Sequence, residues 1–333
     1  MAPDRASQTP APLSGRGPGL ERESERGPRP ERGSERGSGR GSERGAGQER
    51  DKDSDRDKEL AARSAAQLVE DGMTLGLGTG STVAYLLSAL GERARELTRT
   101  HCAATSPQTA RIAREIGLNV RELDELTART GSLDLAIDGA DEIDRDGWLV
   151  KGGGGAHTRE KIVASAARRF VVIVSADKLV ERVTGPVPLE VMEFGALSTL
   201  RALGEARLRR PGERGVGEAS VDKAEAGGAG ISDTGLGNAS GTGDTGMSRT
   251  TGPDPGPGPG PRGNDTAEAQ RSPDGNLLAW YEGPVDNPRE LAARLSATPG
   301  VIEHGLFAPE MVSEAIIGDA GEVRRRVGGK SSA

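Results

Sequence analysis

The 333-residue sequence contains few aromatic residues, few histidines and a single cysteine. Because Cys102 has no partner, an intrachain disulfide framework and a cysteine-rich zinc site are excluded. The three histidines are scattered and predict no histidine-based metal site. No apolar run reaches the roughly 18 residues that span a membrane, and the N-terminus lacks the apolar core of a signal peptide. We therefore expect a cytoplasmic protein with no bound metal and no membrane segment.

The sequence also lacks an excess of basic over acidic residues. The formal net charge is −7, whereas proteins that bind nucleic acids carry a basic footprint that neutralises phosphates. We therefore expect no nucleic-acid partner.

Aromatic residues are absent from two long segments that are rich in glycine. The seven aromatic residues all lie outside 1–84 and 195–279. Repeated Glu-Arg-Gly-Ser units fill much of the first segment, and glycine, threonine and proline dominate the second. Such sequences bury too little apolar surface to fold. We predict a disordered N-terminal tail over 1–56 and a long low-complexity insertion over 204–271.

Short apolar strands alternate with helical segments in the rest of the chain. Strand, helix and strand at this spacing predict an α/β fold with a parallel sheet covered on both faces. We assign a Rossmann-like parallel sheet domain to 57–183 and 308–328. A second, smaller α+β domain is predicted over 184–307, interrupted by the insertion. Strands are expected at 74–77, 135–137 and 170–174, helices at 58–70 and 81–97, and a strand at 314–318 that returns to the first sheet.

The segment GLGTGST at 76–82 follows a predicted strand and opens a predicted helix. Glycines allow close backbone approach, and free N–H groups at a helix N-terminus favour an anion. Together with Gly80, the hydroxyls of Thr79, Ser81 and Thr82 predict an anion-binding turn. No lysine follows the last glycine, which excludes a Walker A loop, and the dinucleotide fingerprint is incomplete. A purely structural turn is the alternative.

The acidic segment DGADEID at 138–144 follows an apolar strand. Open α/β sheets bind ligands at the carboxyl ends of their strands. Asp138 and Asp141, separated by Gly139 and Ala140, are therefore candidate site residues. Carboxylates there accept sugar hydroxyls, hold a lysine or bind Mg²⁺. A solvated acidic turn is the alternative.

The segment KGGGGAHTREK at 151–161 contains four consecutive glycines. Their entropic cost makes sense if backbone N–H groups converge on a ligand, and Lys151 adds a cation at the edge. Glu160 falls in the first turn of the next predicted helix, where the alternative is a partner of the helix dipole. Lys178 follows a further strand and is either a site residue or a surface lysine. This inventory suits a small phosphorylated, polyhydroxylated substrate and proton transfer.

The motifs GLGTGSTV, DGADEID, KGGGGAHTREK, SADKLV and PVPLEV, in this order and spacing, closely resemble the type A ribose-5-phosphate isomerase family. The later PDGN, PGVIEHGLF and AIIG segments resemble it as well. The resemblance implies reversible conversion of ribose 5-phosphate and ribulose 5-phosphate in the pentose phosphate pathway. It also implies a Rossmann-like domain with a smaller α+β domain, no metal or organic cofactor, and a homodimer or homotetramer.

The resemblance also implies roles for individual residues. The proton-abstracting glutamate corresponds to Glu160, with Asp138, Asp141 and Lys151 as further catalytic residues. An N-terminal lysine that approaches the phosphate corresponds to Lys58. The residues implied to bind substrate are Thr79, Gly80, Ser81, Thr82, Asp138, Gly139, Ala140, Asp141, Lys151, Gly152, Gly153, Gly154 and Lys178.

Three other functions are compatible with the motifs. The first is a sugar-phosphate sensor that binds without turnover, although the chain offers no DNA-binding module. The second is a metal-assisted enzyme that uses the acids of DGADEID with Mg²⁺. The third is another sugar-phosphate isomerase or transferase of related fold.

Overall fold

The computed structural model describes residues 42–128, 130–213 and 266–330, with side chains from residue 52 onward. Residues 1–41 of the predicted tail and 214–265 of the insertion predicted over 204–271 lie outside these ranges. The start of the predicted insertion is structured, because Ala206–Leu208 form a strand. The helices in the described residues are α1 (Ser42–Ala66), α2 (Ser81–Glu92), α3 (Pro107–Glu115), α4 (Leu123–Thr127), α5 (His157–Ala166), α6 (Ala196–Leu203) and α7 (Pro288–Ala297).

The strands in the same ranges are β1 (Thr74–Leu77), β2 (His101–Ala104), β3 (Asn119–Val120), β4 (Leu133–Asp138), β5 (Glu142–Ile143), β6 (Leu149–Val150), β7 (Ala167–Ser175), β8 (Val187–Val191), β9 (Ala206–Leu208), β10 (Leu277–Tyr281), β11 (Val301–His304), β12 (Leu306–Phe307), β13 (Glu314–Asp319) and β14 (Glu322–Val327). They form three sheets.

The largest sheet has seven strands in the order β14-β13-β7-β4-β1-β2-β3. Six of them run parallel, and β14 pairs antiparallel with β13 at the edge. Its inner strands are continuous apolar runs because helices cover both faces. The predicted return of 314–318 to this sheet is confirmed, since Ile316 is in register with Ile173 of β7. The fold is α/β, as predicted.

A four-stranded antiparallel sheet in the order β11-β8-β10-β9 packs with α6 and α7 around its own apolar core. The third sheet, β12-β6-β5, has strands of only two residues each. Its strand β12 comes from far along the chain and pairs antiparallel with β6, so that Phe307 lies opposite Leu149. This small sheet joins residues from both predicted domains. The domain boundaries themselves stay a prediction.

The first helix extends further toward the N-terminus than predicted. α1 begins at Ser42, so the predicted disordered tail is wrong over 42–56. α1 includes Gly45 and Gly47, but no glycine occurs between residues 48 and 66, so most of the helix lacks the residues that break helices elsewhere in the tail. The helix is also held in place, because the Asp57 carboxylate accepts hydrogen bonds from the backbone N–H groups of Ala320 and Gly321, both at 3.1 Å.

Two predicted helix ends also differ from the structure. α1 ends at Ala66 and α2 at Glu92, short of the predicted 70 and 97. Arg93 closes both helices: its guanidinium donates to the carbonyl of Ala66 at 2.5 Å, while its backbone N–H donates to Leu90. None of the helices in the described ranges has the length and apolar composition needed to cross a membrane.

The core of the main sheet predicts a clear contrast between two identical substitutions. Val172 in β7 is fully buried, whereas Val327 in β14 is 87 % exposed. We expect Val172→Ala to lower the free energy of unfolding by about 2 kcal/mol, through lost burial and a residual cavity. Val327→Ala should change it by less than about 0.5 kcal/mol. Urea denaturation of both variants measures the difference, and equal effects would contradict this assignment of the core.

Candidate functional site

A cleft opens where the carboxyl ends of β1, β4 and β7 meet. It contains about 460 Å³ of empty space, open solvent included. Its lining residues come from the four segments singled out in the sequence and are Thr79, Gly80, Ser81, Thr82, Gly139, Ala140, Asp141, Lys151, Gly152, Gly153, Gly154, Glu160 and Lys178. Of the residues implied by the resemblance, Asp138 and Lys58 lie outside this lining, and Asp138 contacts Lys151. The fold therefore brings together side chains that are up to about 100 positions apart in sequence.

Lys151 forms the centre of the cleft. Its ammonium lies 2.9 Å from Asp138 Oδ2 and 3.1 Å from Glu160 Oε2, and it donates to the carbonyl of Gly139 at 2.6 Å. All three charged side chains are 5 % exposed or less. Asp138 ends β4, Lys151 follows β6, and Glu160 lies in the first turn of α5. Three different elements therefore meet at one buried cation.

Burial makes Glu160 an unusual carboxyl. Burial and the nearby Asp138 together raise the pKa of Glu160 to about 8, against the opposing effect of the Lys151 cation. Burial likewise raises the pKa of Asp138 and of Asp141. Burial alone would lower the pKa of Lys151, but Asp138 and Glu160 together raise it above its ordinary range. Among the described residues, no donor other than the Lys151 ammonium lies against Glu160 Oε2, so this oxygen has room to accept a proton.

The glycine run is shaped as much by its own contacts as by a ligand. Gly152 has φ +103°, and a Cβ there would lie 2.4 Å from that of the buried His157. The N–H of Gly153 donates to Asp141 Oδ2 at 2.9 Å, and that of Gly155 donates to the carbonyl of Gly152 at 2.9 Å. The expectation that the whole run offers N–H groups to a ligand is therefore wrong for Gly153 and Gly155. Both close the loop instead.

The turn at 78–82 is held by hydroxyls that sequence reasoning missed. Thr105 Oγ1 lies 2.7 Å from Thr79 Oγ1, and Thr109 donates to the carbonyl of Gly78 at 2.9 Å. Ser106, the N-cap of α3, donates to Thr109 at 3.0 Å. The sequence signal was present as TSPQT at 105–109, a cap pattern directly after β2. These contacts fix the turn that precedes α2.

Asp138 and the predicted lysines occupy three distinct settings. Asp138 Oδ1 accepts from the N–H groups of Thr79 at 3.2 Å and Gly139 at 2.7 Å, so both carboxylate oxygens have protein partners. Lys178 lines the cleft, 3.9 Å from Asp177. Lys58 is buried, bonds to Asp55 at 3.1 Å and does not line the cleft. Within the described ranges, no three His, Cys, Asp or Glu side chains converge as a metal site would require.

Comparison with known proteins gives consistent matches. A sequence model of the ribose 5-phosphate isomerase A (phosphoriboisomerase A) family matches residues 101–229. The ribose-5-phosphate isomerase A of Gloeobacter violaceus is 38 % identical over 269 residues, covering 80 % of this chain and 94 % of that protein. The protein of the same name from Ruegeria sp. is 39 % identical, and the match covers 75 % of this chain and 79 % of that protein. The chain belongs to the ribose-5-phosphate isomerase A family.

Solved structures agree with this membership of the ribose-5-phosphate isomerase A family. Ribose 5-phosphate isomerase A from Methanocaldococcus jannaschii is 29 % identical and has a TM-score of 0.60, covering 81 % of this chain and 97 % of its own. A D-ribose-5-phosphate isomerase solved in complex with phospho-erythronic acid is 28 % identical, with the same TM-score and the same coverage. The family predicted from the motifs is confirmed, whereas the roles of individual residues stay predictions.

The raised pKa of Glu160 predicts how its replacement changes stability with pH. Between the ordinary value of 4.5 and about 8, the folded protein holds a proton on Glu160 that the unfolded chain has released. The contribution of Glu160 to stability therefore falls as the pH rises through this window. Glu160→Gln has no such charge, so we expect its melting temperature, relative to the natural chain, to be higher near pH 9 than near pH 5. Differential scanning calorimetry measures this difference.

Glu115→Gln serves as the control, because Glu115 is exposed on α3. Its difference from the natural chain should stay nearly constant over the same range. A pH-independent difference for Glu160→Gln would contradict a raised pKa at Glu160.

Proposed function

We propose that this protein interconverts D-ribose 5-phosphate and D-ribulose 5-phosphate through a cis-enediolate, with Glu160 as the general base. This is an intramolecular oxidation and reduction, an aldose–ketose isomerisation in the non-oxidative branch of the pentose phosphate pathway. One observation carries the proposal: Glu160 Oε2 is buried at the wall of the cleft, and the Lys151 ammonium, 3.1 Å away, is the one polar group paired with it among the described residues. The names of the relatives support the substrate.

Glu160 is suited to move the proton, and Lys151 is suited to stabilise the charge that forms. In the open-chain aldose, the Glu160 carboxylate removes the proton on C2 and later delivers it to C1, while a proton moves from O2 to O1. Negative charge develops on the oxygens of the enediolate, and the preorganised, buried Lys151 cation stabilises it. A carboxylate with a raised pKa is a stronger base than an exposed one, and it returns the proton readily.

The turn before α2 is the proposed phosphate site. Gly80 adopts φ +123° as the N-cap residue, and the hydroxyls of Ser81 and Thr82 follow it at the start of the helix. Helix N-termini favour anions through free N–H groups and the helix dipole. Lys178 supplies a positive charge on the same cleft. The complex of a solved D-ribose-5-phosphate isomerase with phospho-erythronic acid supports a phosphorylated sugar chain as ligand. Phosphate binding there orients C1 and C2 against Glu160.

Asp138 and Asp141 have separate parts in this proposal. Asp138 does not line the cleft, and it holds Lys151 and the turn at Thr79. Asp141 lines the cleft, and its Oδ2 is already bonded to the N–H of Gly153. Its remaining acceptor capacity suits a sugar hydroxyl and the opening of the furanose ring. Residues 139–140 and 152–154 complete the wall around the sugar.

We further propose a homodimer or homotetramer in the cytoplasm. Apolar side chains on the surface support an interface: Phe194 is 90 % exposed and Ile162 53 % exposed. Ile162 also lines an open groove together with Ile302, which is 39 % exposed. Exposed apolar surface of this kind is typical of sites where proteins associate.

The assignment of the base predicts a selective loss of catalysis. We expect Glu160→Gln to lower kcat by at least about 100-fold, the usual scale of general-base catalysis. Binding of phospho-erythronic acid, followed by calorimetry, should persist because the phosphate turn is intact. Glu115→Gln should keep the natural kcat. Formation of ribulose 5-phosphate, assayed with a chelator present, measures the rates and tests the magnesium alternative. A near-normal kcat for Glu160→Gln would refute the assignment.

The same base predicts the pH dependence of the natural enzyme. Because the active form of Glu160 is ionised and its pKa is about 8, kcat/KM should fall about tenfold for each pH unit below that value. The profile should level off above it. The residual activity of Glu160→Gln should lack this acid limb, and a limb that survives the substitution would belong to another group.

A further inference from the structure

The first turn of α5 carries four consecutive side chains in different surroundings. Because a helix turns about 100° per residue, Thr158, Arg159 and Lys161 share one half of its circumference and Glu160 occupies the other. Glu160 faces the cleft. The other three bond to residues of the four-stranded sheet or of the turn before β10, so the turn is held from one side only.

Thr158 is tied to a buried acid of β8. Its hydroxyl donates to Glu190 Oε2 at 2.5 Å. Glu190 is 1 % exposed, and its other oxygen accepts from Ser272 Oγ and Asn276 Nδ2, both at 2.7 Å. With donors on both oxygens, this buried carboxylate is satisfied and has one position. Thr158 is therefore attached to a fixed point.

Lys161 is tied to β11 by all three of its protons. Its ammonium donates to Glu303 Oε1 at 2.7 Å and to the carbonyl of His304 at 2.6 Å, and lies 3.3 Å from His304 Nδ1. The N–H of Leu306 also points to Nδ1, at 3.2 Å, so that nitrogen is an acceptor. Nε2 then carries the hydrogen and donates to Ser296 Oγ at 3.1 Å. The acceptors around Lys161 are thus fixed in orientation.

Phe307 connects Lys161 to Lys151, the cation that contacts Glu160. The buried ring of Phe307 has its centroid 4.9 Å from Lys161 Nζ and 5.4 Å from Lys151 Nζ. Both distances lie within the range of a cation–π contact. Phe307 of β12 therefore lies between the two lysines and sets the distance between them. Through Lys161, it also sets the distance between Glu160 and Lys151.

We propose that Thr158 and Lys161 are positioning residues, through which the four-stranded sheet holds Glu160 against Lys151. Neither lines the cleft, so both act through Glu160, and the inference rests on the proposed role of Glu160 as base. Arg159 is the natural contrast. Its ion pair with Asp274 is 37 % and 40 % exposed on the two sides, and such solvated pairs contribute little.

Four substitutions test the proposal in the full-length protein. Thr158→Val and Lys161→Met remove the anchoring bonds at nearly constant volume. Arg159→Met is the control for Lys161→Met. Thr298→Val, which loses a hydroxyl bonded to a carbonyl of its own helix at 2.8 Å, is the control for Thr158→Val. We expect kcat to fall at least about tenfold in the first two variants, since small displacements of a base cost up to about 100-fold. KM should stay within about twofold, because the phosphate turn is separate, and both controls should keep kcat.

The pH profile separates positioning from a loss of folded protein. When Glu160 moves away from Lys151, the cation stabilises its carboxylate less, so the acid limb of kcat should move to higher pH in Thr158→Val and Lys161→Met. A smaller folded fraction lowers the whole profile and leaves the limb where it was. Thermal melting of each variant reports the folded fraction independently.

The outcomes decide between this inference and the proposed function. The positioning role would be overturned if Thr158→Val and Lys161→Met left both kcat and the pH of its acid limb unchanged. It would also be overturned if they lowered kcat no more than the controls do. If Lys161→Met does not fold, Thr158→Val alone decides. Absence of isomerase activity in the natural chain, or full activity of Glu160→Gln, would refute the proposed function instead.

Discussion

The buried ammonium of Lys151 between two carboxylates is the interaction on which the site depends. A single cation cannot neutralise Asp138, Glu160 and the nearby Asp141 together, so the cluster keeps surplus negative charge when all three are ionised. Holding a proton relieves this surplus, and the pKa of Glu160, raised to about 8, makes it the acid suited to hold that proton. The cation thus keeps the buried acids in place and leaves one of them able to exchange a proton.

Each charged residue of the cluster belongs to a different part of the fold. Asp138 ends a central strand of the parallel sheet, Lys151 follows a two-residue strand of the smallest sheet, and Glu160 lies on a helix held by the antiparallel sheet. The small sheet is the joint between them, because β12 brings Phe307 beside Lys151. The four-stranded sheet therefore also carries the bonds that hold the helix of Glu160 in place.

Much of the site could be predicted because its motifs are local. Glycines, hydroxyls and acids directly after a strand mark a ligand-binding edge whatever the rest of the fold does, and the segments at 76–82, 138–144 and 151–161 all met at the cleft. Reasoning from pattern failed where local sequence is too short or too ambiguous. Two-residue strands such as Glu142–Ile143 carry no period, and no local pattern shows that Asp57 of α1 bonds to the hairpin turn at Ala320 and Gly321.

The sequence by itself determined the family, the alternation of strands and helices, and the residue types at each strand end. These follow from short-range patterns that physical chemistry constrains within a few residues. Only the tertiary structure decided that Asp138 supports Lys151 from outside the cleft, that Gly153 bonds to Asp141, and that Lys161 bonds to β11. Those facts are distances between groups far apart in the chain, and such distances exist only once packing has placed one layer of the fold against another.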